Sequence, residues 1–336
     1  MWAADTNYMD DIRADGRFKV IQSQDLRTGV GSETAGWILA DEIDMQQANA
    51  AGAAAARTQL NQIIAGLPAD GRFRYTNYSK GVMFWNSTSD AEQYVNDFTH
   101  VVSTDIYWFT EGDVCQASQG GVLLGLGRAL TSAECHRASN YGAQVARVRF
   151  LDGMDGVRQP VWTFVETGHP FNNSMNGHRS ITAPEMRAAV WHSIIAGARG
   201  IIYFQHSFGG PCVGDHHTTR SNCEGTRPML ISVNTQIKSL APVLNSPSLS
   251  SGFSASSSVK ALAKWDHSNF YVFAGSTEST ASTGTFSIPC VGDATATVVG
   301  ENRTVPVNAG TFSDSFADGN AVHIYRIDGG STCGLS

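Results

Sequence analysis

The feature that most constrains the fold is an alternation of short apolar runs with helical segments between residues 18 and 206. Strands that alternate with helices indicate a parallel sheet with helical crossover connections. We predict six strands, at Phe18–Gln22, Gly36–Ala40, Gly81–Trp85, Val101–Phe109, Val161–Val165 and Gly200–Phe204. Helices are predicted at Met45–Ala65, Ser89–Asp97, Ala133–Arg147, Thr182–Ala198 and Arg227–Leu244. The pattern predicts an α/β fold of the (β/α)8 barrel type.

A closed barrel of this type requires eight strands, and only six runs are visible. We therefore expect the N-terminal strand or strands to be missing, so that the sequence begins inside the second strand. A signal peptide would be expected on the same missing segment.

The hydrophobic pattern changes near residue 245. Residues 245–258 are rich in Ser and Pro, which is typical of a linker, and the following segments alternate with a period of two. Seven short runs separated by Gly, Asp and Asn predict a small antiparallel β-sandwich. We expect a catalytic barrel over residues 1–246 and a C-terminal β-sandwich domain over residues 247–336.

Charge and hydropathy exclude several classes of partner. The formal net charge is −7, spread along the chain, which argues against a nucleic-acid surface. The apolar runs are too short or too often interrupted to cross a bilayer, which takes ~20 residues. We expect a monomer that binds neither nucleic acid nor membrane. The tract Asp215–His217 is weak evidence for a metal, so no metal or cofactor is expected.

The six cysteines fall into three neighbouring couples, Cys115/Cys135, Cys212/Cys223 and Cys290/Cys333. Six cysteines allow 15 connectivities, so sequential pairing is one hypothesis, and six buried thiols in a cytosolic enzyme is the alternative. None has a CxxC spacing. Disulfides would indicate a secreted, extracellular protein.

Two glutamates directly follow apolar strand runs, Glu42 after the run that begins at Gly36 and Glu166 after the run that begins at Val161. The active site of a parallel barrel lies at the C-terminal ends of its strands. A charge at such a position is costly unless it is paired or used. Alternation places Glu42 on the face of Ala40 and Ile38, so both acids are expected to point into the barrel mouth.

Two carboxyl groups are the minimum for hydrolysis of a glycosidic bond. One protonates the leaving oxygen, and the other attacks the sugar or activates water. The alternative for each acid is a salt bridge with a barrel arginine or a solvated loop position. Aromatic, amide and imidazole groups at the other predicted strand ends are candidate sugar-binding residues: Trp85, Asn86, Tyr107, Trp108, His169, Gln205 and His206.

With these residues placed, the chain resembles the clan A glycoside hydrolases, which are retaining (β/α)8 barrels. The segment "GWILADEID" is similar to the strand-four segment that carries the acid/base, and "VWTFVETGHP" to the strand-seven segment that carries the nucleophile. The segment "MRAAVWHSIIAGARGIIYFQHSF" is similar to the seventh helix and eighth strand, "TDIYWF" to the strand-six tyrosine segment, and "GTFSDSFADGNAVHIYRI" to the closing strands of the C-terminal β-sandwich.

The resemblance implies polysaccharide degradation by a retaining double-displacement mechanism, with Glu42 as acid/base and Glu166 as nucleophile. Many clan members have Asn before the acid/base, contacting the sugar 2-hydroxyl, whereas this chain has Asp41. Retention implies carboxyl groups ~5–5.5 Å apart, with Glu166 ionised. Two alternatives remain: a carbohydrate-binding protein without turnover, and an inverting glycosidase on the same scaffold.

Overall fold

The computed structural model describes residues 6–23, 30–46, 49–172, 178–249, 251–266 and 268–328. The α-helices are α1 to α9, at Thr6–Asp15, Ala50–Ala65, Thr88–Asn96, Gly120–Leu123, Ser132–Cys135, Ser139–Asp152, Ala183–Ile195, Thr218–Ser221 and Arg227–Leu244. The strands β1 to β6 are Val20–Ser23, Thr34–Asp41, Phe73–Tyr78, Val101–Thr104, Val161–Glu166 and Gly200–Phe204. The strands β7 to β14 are Ser254–Ala255, Val259–Trp265, Asn269–Ser276, Ser282–Ser287, Ala294–Val298, Arg303–Val307, Thr311–Phe316 and Val322–Asp328.

The first six strands form one curled parallel sheet, a half-barrel in which each strand pairs with the next along the chain. Within the described residues β1 and β6 are its two edges. From β2 onward, helices connect successive strands because a parallel pair needs a long crossover. The predicted α/β class with a parallel sheet is confirmed, and the last helix of this region, Arg227–Leu244, has the predicted bounds.

One predicted strand is wrong. Residues Gly81–Trp85 form a π-helical turn, and the strand at this place in the sheet is β3, whose sequence is FRYTNY. An apolar run of five residues is compatible with either a strand or a buried turn, so the pattern could not decide. β3 carries polar residues on both faces and therefore lacks the apolar alternation. The predicted strand at Val101–Phe109 also ends earlier, at Thr104.

A buried aspartate fixes the turn that follows β3. The carboxylate of Asp44 accepts the backbone N–H groups of Ser79, at 3.0 Å, and Val82, at 2.7 Å. A Cβ atom on Gly81 would lie 2.2 Å from the carbonyl oxygen of Asp44, so only glycine fits there. Burial raises the pKa of Asp44 to about 7, although these backbone donors favour the ionised form. The turn is thereby held against the end of β2.

The remaining strands form two antiparallel sheets, in the orders β12-β11-β14-β9-β8 and β13-β10-β7. Side chains from both sheets meet in one apolar core, which contains Phe270, Phe286, Phe312 and Tyr325. The predicted sandwich is confirmed, and three predicted strands, β8, β12 and β13, have the predicted bounds. Alternation of short strands with Gly and Asn turns was sufficient because each strand buries only alternate residues.

The strands β9 and β14 contribute side chains to two apolar cores, one on each face. Alternate residues of β9 face the sandwich core, while Phe273 belongs to the core that surrounds the parallel sheet. Its ring stacks on Trp191 of α7, with centroids 5.8 Å apart. Val322 and Ile324 of β14 join the same core. The parallel and antiparallel regions therefore share a continuous apolar interface.

Two of the three predicted disulfides are present, Cys115–Cys135 and Cys212–Cys223. Their Cα atoms are 5.3 Å and 5.9 Å apart. Each bridge closes a loop beyond the C-terminal ends of the parallel strands, worth roughly 3 kcal/mol in the chain-entropy description. The third predicted pair includes Cys333, which lies outside the described residues. Among the described helices, none is long and apolar enough to cross a bilayer.

The interface predicts that Phe273 couples the two regions. Phe273→Ala should lower the free energy of unfolding by about 3–5 kcal/mol, because a fully buried phenyl ring is lost. It should also separate the thermal unfolding of the two regions into two calorimetric transitions.

The matched control is Phe312→Ala, which removes an equally large buried ring from the sandwich core away from α7. This variant should unfold at a lower temperature in one transition, like the parent protein. One transition in both variants would contradict the coupling assigned to Phe273.

Candidate active site

The C-terminal ends of the parallel strands bring four polar side chains to one edge of the sheet. Asp41 ends β2, Asn77 lies one residue before the end of β3, Asp105 directly follows β4, and Glu166 ends β5. Parallel strands present their carboxyl ends on the same edge, where α/β proteins bind ligands. This edge is the candidate site.

A β-bulge in β2 decides which of its acids faces Asn77. The pairing with β3 shifts register between Ile38 and Ala40, so that Asp41 lies opposite Asn77. The Asn77 amide donates a 3.0 Å hydrogen bond to the Asp41 carboxylate. The predicted alternation, with Glu42 on the face of Ile38, is wrong because the bulge inserts one residue.

Glu42 directly follows β2 and has a left-handed backbone conformation at the start of the 3-10 turn Ile43–Met45. Its φ of 50° lies in a region that non-glycine residues adopt at a cost of about 1–3 kcal/mol, often at functional sites. The backbone N–H of Glu42 donates to the carbonyl oxygen of Asn77 at 2.9 Å, which holds this conformation. The side chain is half-buried, and its carboxyl group has no hydrogen bond or salt bridge within the described residues.

Glu166 is fully buried and firmly held. The hydroxyl of Tyr141, from α6, lies 2.7 Å from both of its carboxylate oxygens, and the hydroxyl of Thr110 donates at 3.0 Å. Burial raises the pKa of Glu166 to about 7, while these two donors favour the ionised form. The expectation that Glu166 is ionised therefore holds only above about pH 7.

Tyr107 is a buried tyrosine in the loop that follows β4, and both glutamates act on it electrostatically. Its ring packs against Phe204 of β6, with centroids 5.4 Å apart, and it is 5% exposed. Burial raises the pKa of Tyr107 well above its usual value, and the charges of Asp105, Glu166, Glu42 and Asp41 raise it further. The buried hydroxyl is thus among these carboxyl groups, and no hydrogen-bond partner for it exists in the described part of the chain.

The rim of the site beyond β6 is held by the Cys212–Cys223 loop. The imidazole of His206 stacks on Phe208, with centroids 3.8 Å apart, and its Nδ1 atom lies 2.8 Å from Nδ1 of His216. Gln205 accepts a 2.6 Å hydrogen bond from Thr219. Phe208 is 47% exposed, so one aromatic face at the rim is open to a ligand.

Two predicted aromatic positions lie in the core instead of the site. Trp108 is fully buried, donates to Gln144 at 3.1 Å, and packs edge-on against Phe84. Trp85 ends the π-helical turn and is half-buried against the same core. Trp108 does not lie at a strand end because β4 ends at Thr104. Trp85 does not lie at one because its predicted strand is a π-helical turn.

Asn86 and His169 have buried side-chain polar atoms without partners. Both amide atoms of Asn86 and Nδ1 of His169 make no hydrogen bond to any described residue. His169 follows β5, and its backbone N–H donates to Ser207 at 3.0 Å. Buried polar groups are normally paired, so these unpartnered atoms are candidate ligand contacts.

Three site residues escaped the sequence analysis. Asn77 lies on β3, which the sequence does not predict. Asp105 directly follows β4, whereas the predicted strand extends five residues further, to Phe109. Tyr141 reaches Glu166 from a helix, and no local pattern identifies such a contact. Asp105 could have been found from the polar residue that interrupts the apolar run at its position.

One cluster of three metal-ligand side chains occurs in the described ranges, Cys115, Cys135 and His136. The two cysteines form a disulfide, so their sulfur atoms are not available as thiolate ligands. The carboxyl groups of the candidate site do not form such a cluster.

No protein-family model matches the sequence, and no curated protein matches it. Among solved structures, the chain is similar to a GH30 endoxylanase from Clostridium papyrosolvens, at 12% identity over 89% of this chain and 67% of that one, with a TM-score of 0.39. Eubacterium rectale Amy13B is 12% identical over 87% and 60%, with a TM-score of 0.46. A glycoside hydrolase family 5 protein from Bacteroides vulgatus is 12% identical over 87% and 62%, also at 0.46. These identities and TM-scores are too low to indicate a function for this chain.

The contact between Tyr141 and Glu166 predicts a measurable titration change. Tyr141→Phe removes a donor that favours the ionised carboxylate, so the pKa of Glu166 should rise above about 7, by roughly one to two units for one charge-assisted hydrogen bond. Carboxyl carbon NMR of protein labelled at glutamate measures this shift directly.

Tyr94→Phe is the matched control, since it removes a buried tyrosine hydroxyl that bonds to the Ala53 carbonyl and not to Glu166. This control should leave the Glu166 titration unchanged. An unchanged or lowered pKa in Tyr141→Phe would show that the hydrogen bond does not stabilise the carboxylate.

Proposed function

We propose that this protein is a glycoside hydrolase that cleaves an oligo- or polysaccharide by a retaining mechanism, with Glu42 as acid/base and Glu166 as nucleophile. The observation that carries the proposal is that Glu42 and Glu166, each at or directly after a strand end, both act electrostatically on the buried, unpartnered hydroxyl of Tyr107 and raise its pKa. In the clan that the sequence resembles, the two acids follow strands four and seven. Here they follow β2 and β5, which are also three strands apart.

In the first step, the Glu166 carboxylate attacks the anomeric carbon while Glu42 donates its proton to the leaving glycosidic oxygen. The glycosidic bond breaks, and a glycosyl ester forms on Glu166. In the second step, Glu42, now ionised, takes a proton from water, whose oxygen attacks the same carbon. The ester bond breaks, Glu166 regains its carboxylate, and the net reaction adds one water across the glycosidic bond.

The neighbouring groups have defined tasks in this scheme. Tyr141 and Thr110 stabilise the ionised form of Glu166 before attack, because both donate to it. Tyr107 can donate its hydroxyl to the ring oxygen or to the nucleophile as charge is redistributed. The open ring of Phe208 offers a stacking surface for a sugar at the rim. The two disulfides favour an extracellular location, because disulfides persist in oxidising environments.

A second candidate is a carbohydrate-binding protein that does not turn its ligand over. The complete burial of Glu166 favours it, because a nucleophile must reach the anomeric carbon. In that case Glu166 serves to anchor α6 through Tyr141. The two candidates differ in the fate of the ligand: the hydrolase releases new reducing ends, and the binding protein releases none.

Reducing-end release across plant, fungal and bacterial polysaccharides tests the proposal. With the substrate found, Glu166→Gln should lower kcat by at least ~10⁴-fold for every leaving group, since the nucleophile is lost. Glu42→Gln should lower turnover of the natural substrate by ~10²–10⁴-fold, the usual value of a general acid. It should spare the first step for activated aryl glycosides, whose leaving groups need little protonation.

Glu92→Gln is the control, since Glu92 lies on α3 and binds Asn96, away from the strand ends. It should retain the activity of the parent protein. Near-normal turnover by Glu166→Gln on a confirmed substrate would refute the assignment, and binding without any release of reducing ends would favour the second candidate.

A further inference from the structure

We propose that the sugar unit bound beside Glu42 carries a protonated amino group, and that Asp105 is its carboxylate partner. The substrate class is thus an oligo- or polysaccharide containing free-amine hexosamine. This inference rests on the proposed function for its site but concerns recognition, which neither catalytic glutamate explains. It starts from the surplus of acids: hydrolysis requires two carboxyl groups, and four of them, Asp41, Glu42, Asp105 and Glu166, lie near enough to Tyr107 to act on it electrostatically.

The orientation of the Asn77 side chain shows which hydrogen-bond donor the site offers to these acids. The hydroxyls of Tyr75 and Ser103 are 2.6 Å apart, and Ser103 donates to the side-chain amide oxygen of Asn77 at 2.7 Å. The side-chain N–H₂ group of Asn77 in turn donates to Asp41. This chain fixes the amide with its N–H₂ group toward the acids. The Asn77 amide is a neutral donor, and its two N–H hydrogens cannot neutralise the negative charge of three neighbouring carboxyl groups.

Within the described residues, Arg179 acts electrostatically on Glu166, but Asp41, Glu42 and Asp105 have no salt-bridge partner. Other acids there are paired, Glu111 with Lys80 and Glu33 with Arg13. Burial raises the pKa of Asp105 well above its usual value, and the charges of Glu42 and Asp41 raise it further. A cation brought by the ligand would reverse this cost.

Two buried atoms point to a ligand independently of the charge. The Oδ1 atom of Asp105 and the hydroxyl of Tyr107, on a side chain that is 5% exposed, have no partner among the described residues. Buried polar atoms left unpaired are expensive, so a ligand that donates to Asp105 and meets Tyr107 would stabilise both. An ammonium group and an adjacent hydroxyl on one sugar ring match that pair.

The acids are arranged for an ammonium group and not for a metal ion. A hard cation needs several oxygens around it, and these carboxyl groups do not come together as a set of three. An ammonium group needs one direct carboxylate contact, and nearby negative charges add attraction through space. Asp105 supplies the contact and Asp41 supplies further negative charge nearby, since Glu42 is protonated as the general acid when the substrate binds.

The test compares oligosaccharides of glucosamine and of galactosamine with their N-acetylated forms, which have the same rings and linkages but no positive charge. For the accepted ring, kcat/KM should be at least ~tenfold higher for the free amine. Asp105→Asn, which keeps the shape and removes the charge, should cancel this preference through a higher KM for the amine. The control Asp97→Asn, on the exposed end of α3, should retain it.

Folding of Asp105→Asn is checked by thermal unfolding, and a second measurement needs no variant. Raising the sodium chloride concentration should lower kcat/KM for the free amine and leave that of the N-acetylated form unaffected, since salt screens the attraction of the charged ligand from solution to the acidic edge. Equal use of both forms, or an equal effect of Asp105→Asn on both, would overturn the inference.

The outcomes also separate this inference from the proposed function. Turnover of a neutral polysaccharide that is abolished in Glu166→Gln, without amine preference, would leave a hydrolase and refute the amino-sugar substrate. Calorimetric binding of the free-amine oligosaccharide that depends on Asp105, with no reducing ends released, would uphold the amino-sugar ligand and refute hydrolysis.

Discussion

The constraint on which the site depends is the burial of carboxyl groups that form no salt bridge within the described residues. Glu166 is fully buried and accepts hydrogen bonds from the hydroxyls of Tyr141 and Thr110, with Arg179 acting on it only through space, and Asp44 accepts from backbone N–H groups. Both have a pKa raised to about 7 by burial. Neutral donors orient a carboxylate without cancelling its charge, so above about pH 7 the ionised Glu166 gives the edge a negative potential that is available to a substrate.

The second layer of the fold maintains this arrangement. Two residues one helical turn apart on α6 reach the sheet: Tyr141 binds Glu166, and Gln144 binds both Trp108 and Thr163. The packing of α7 against β9 in turn joins the parallel sheet to the antiparallel region. The position of Glu166 therefore depends on contacts that extend from the strand end to the sandwich.

The sequence predicted what local patterns determine. Alternation predicted the parallel class and the sandwich, the neighbouring cysteine couples predicted two disulfides, and strand ends indicated Glu42, Glu166 and Tyr107 as site candidates. It failed where tertiary contacts decide. The run Gly81–Trp85 turns because Asp44 binds its backbone, and β3 is a strand although its polar residues face the site. The β-bulge that turns Asp41 toward Asn77 has no local signature either.

The central claim is that Glu166 attacks the sugar. Its most direct test is mass spectrometry of peptides from protein that has been quenched in acid during turnover of a slow fluorinated glycoside. The account predicts one glycosyl unit in ester linkage on the peptide containing Glu166, and none on that peptide from Glu166→Gln. A substrate consumed without any adduct, or an adduct on another carboxyl group, would contradict it.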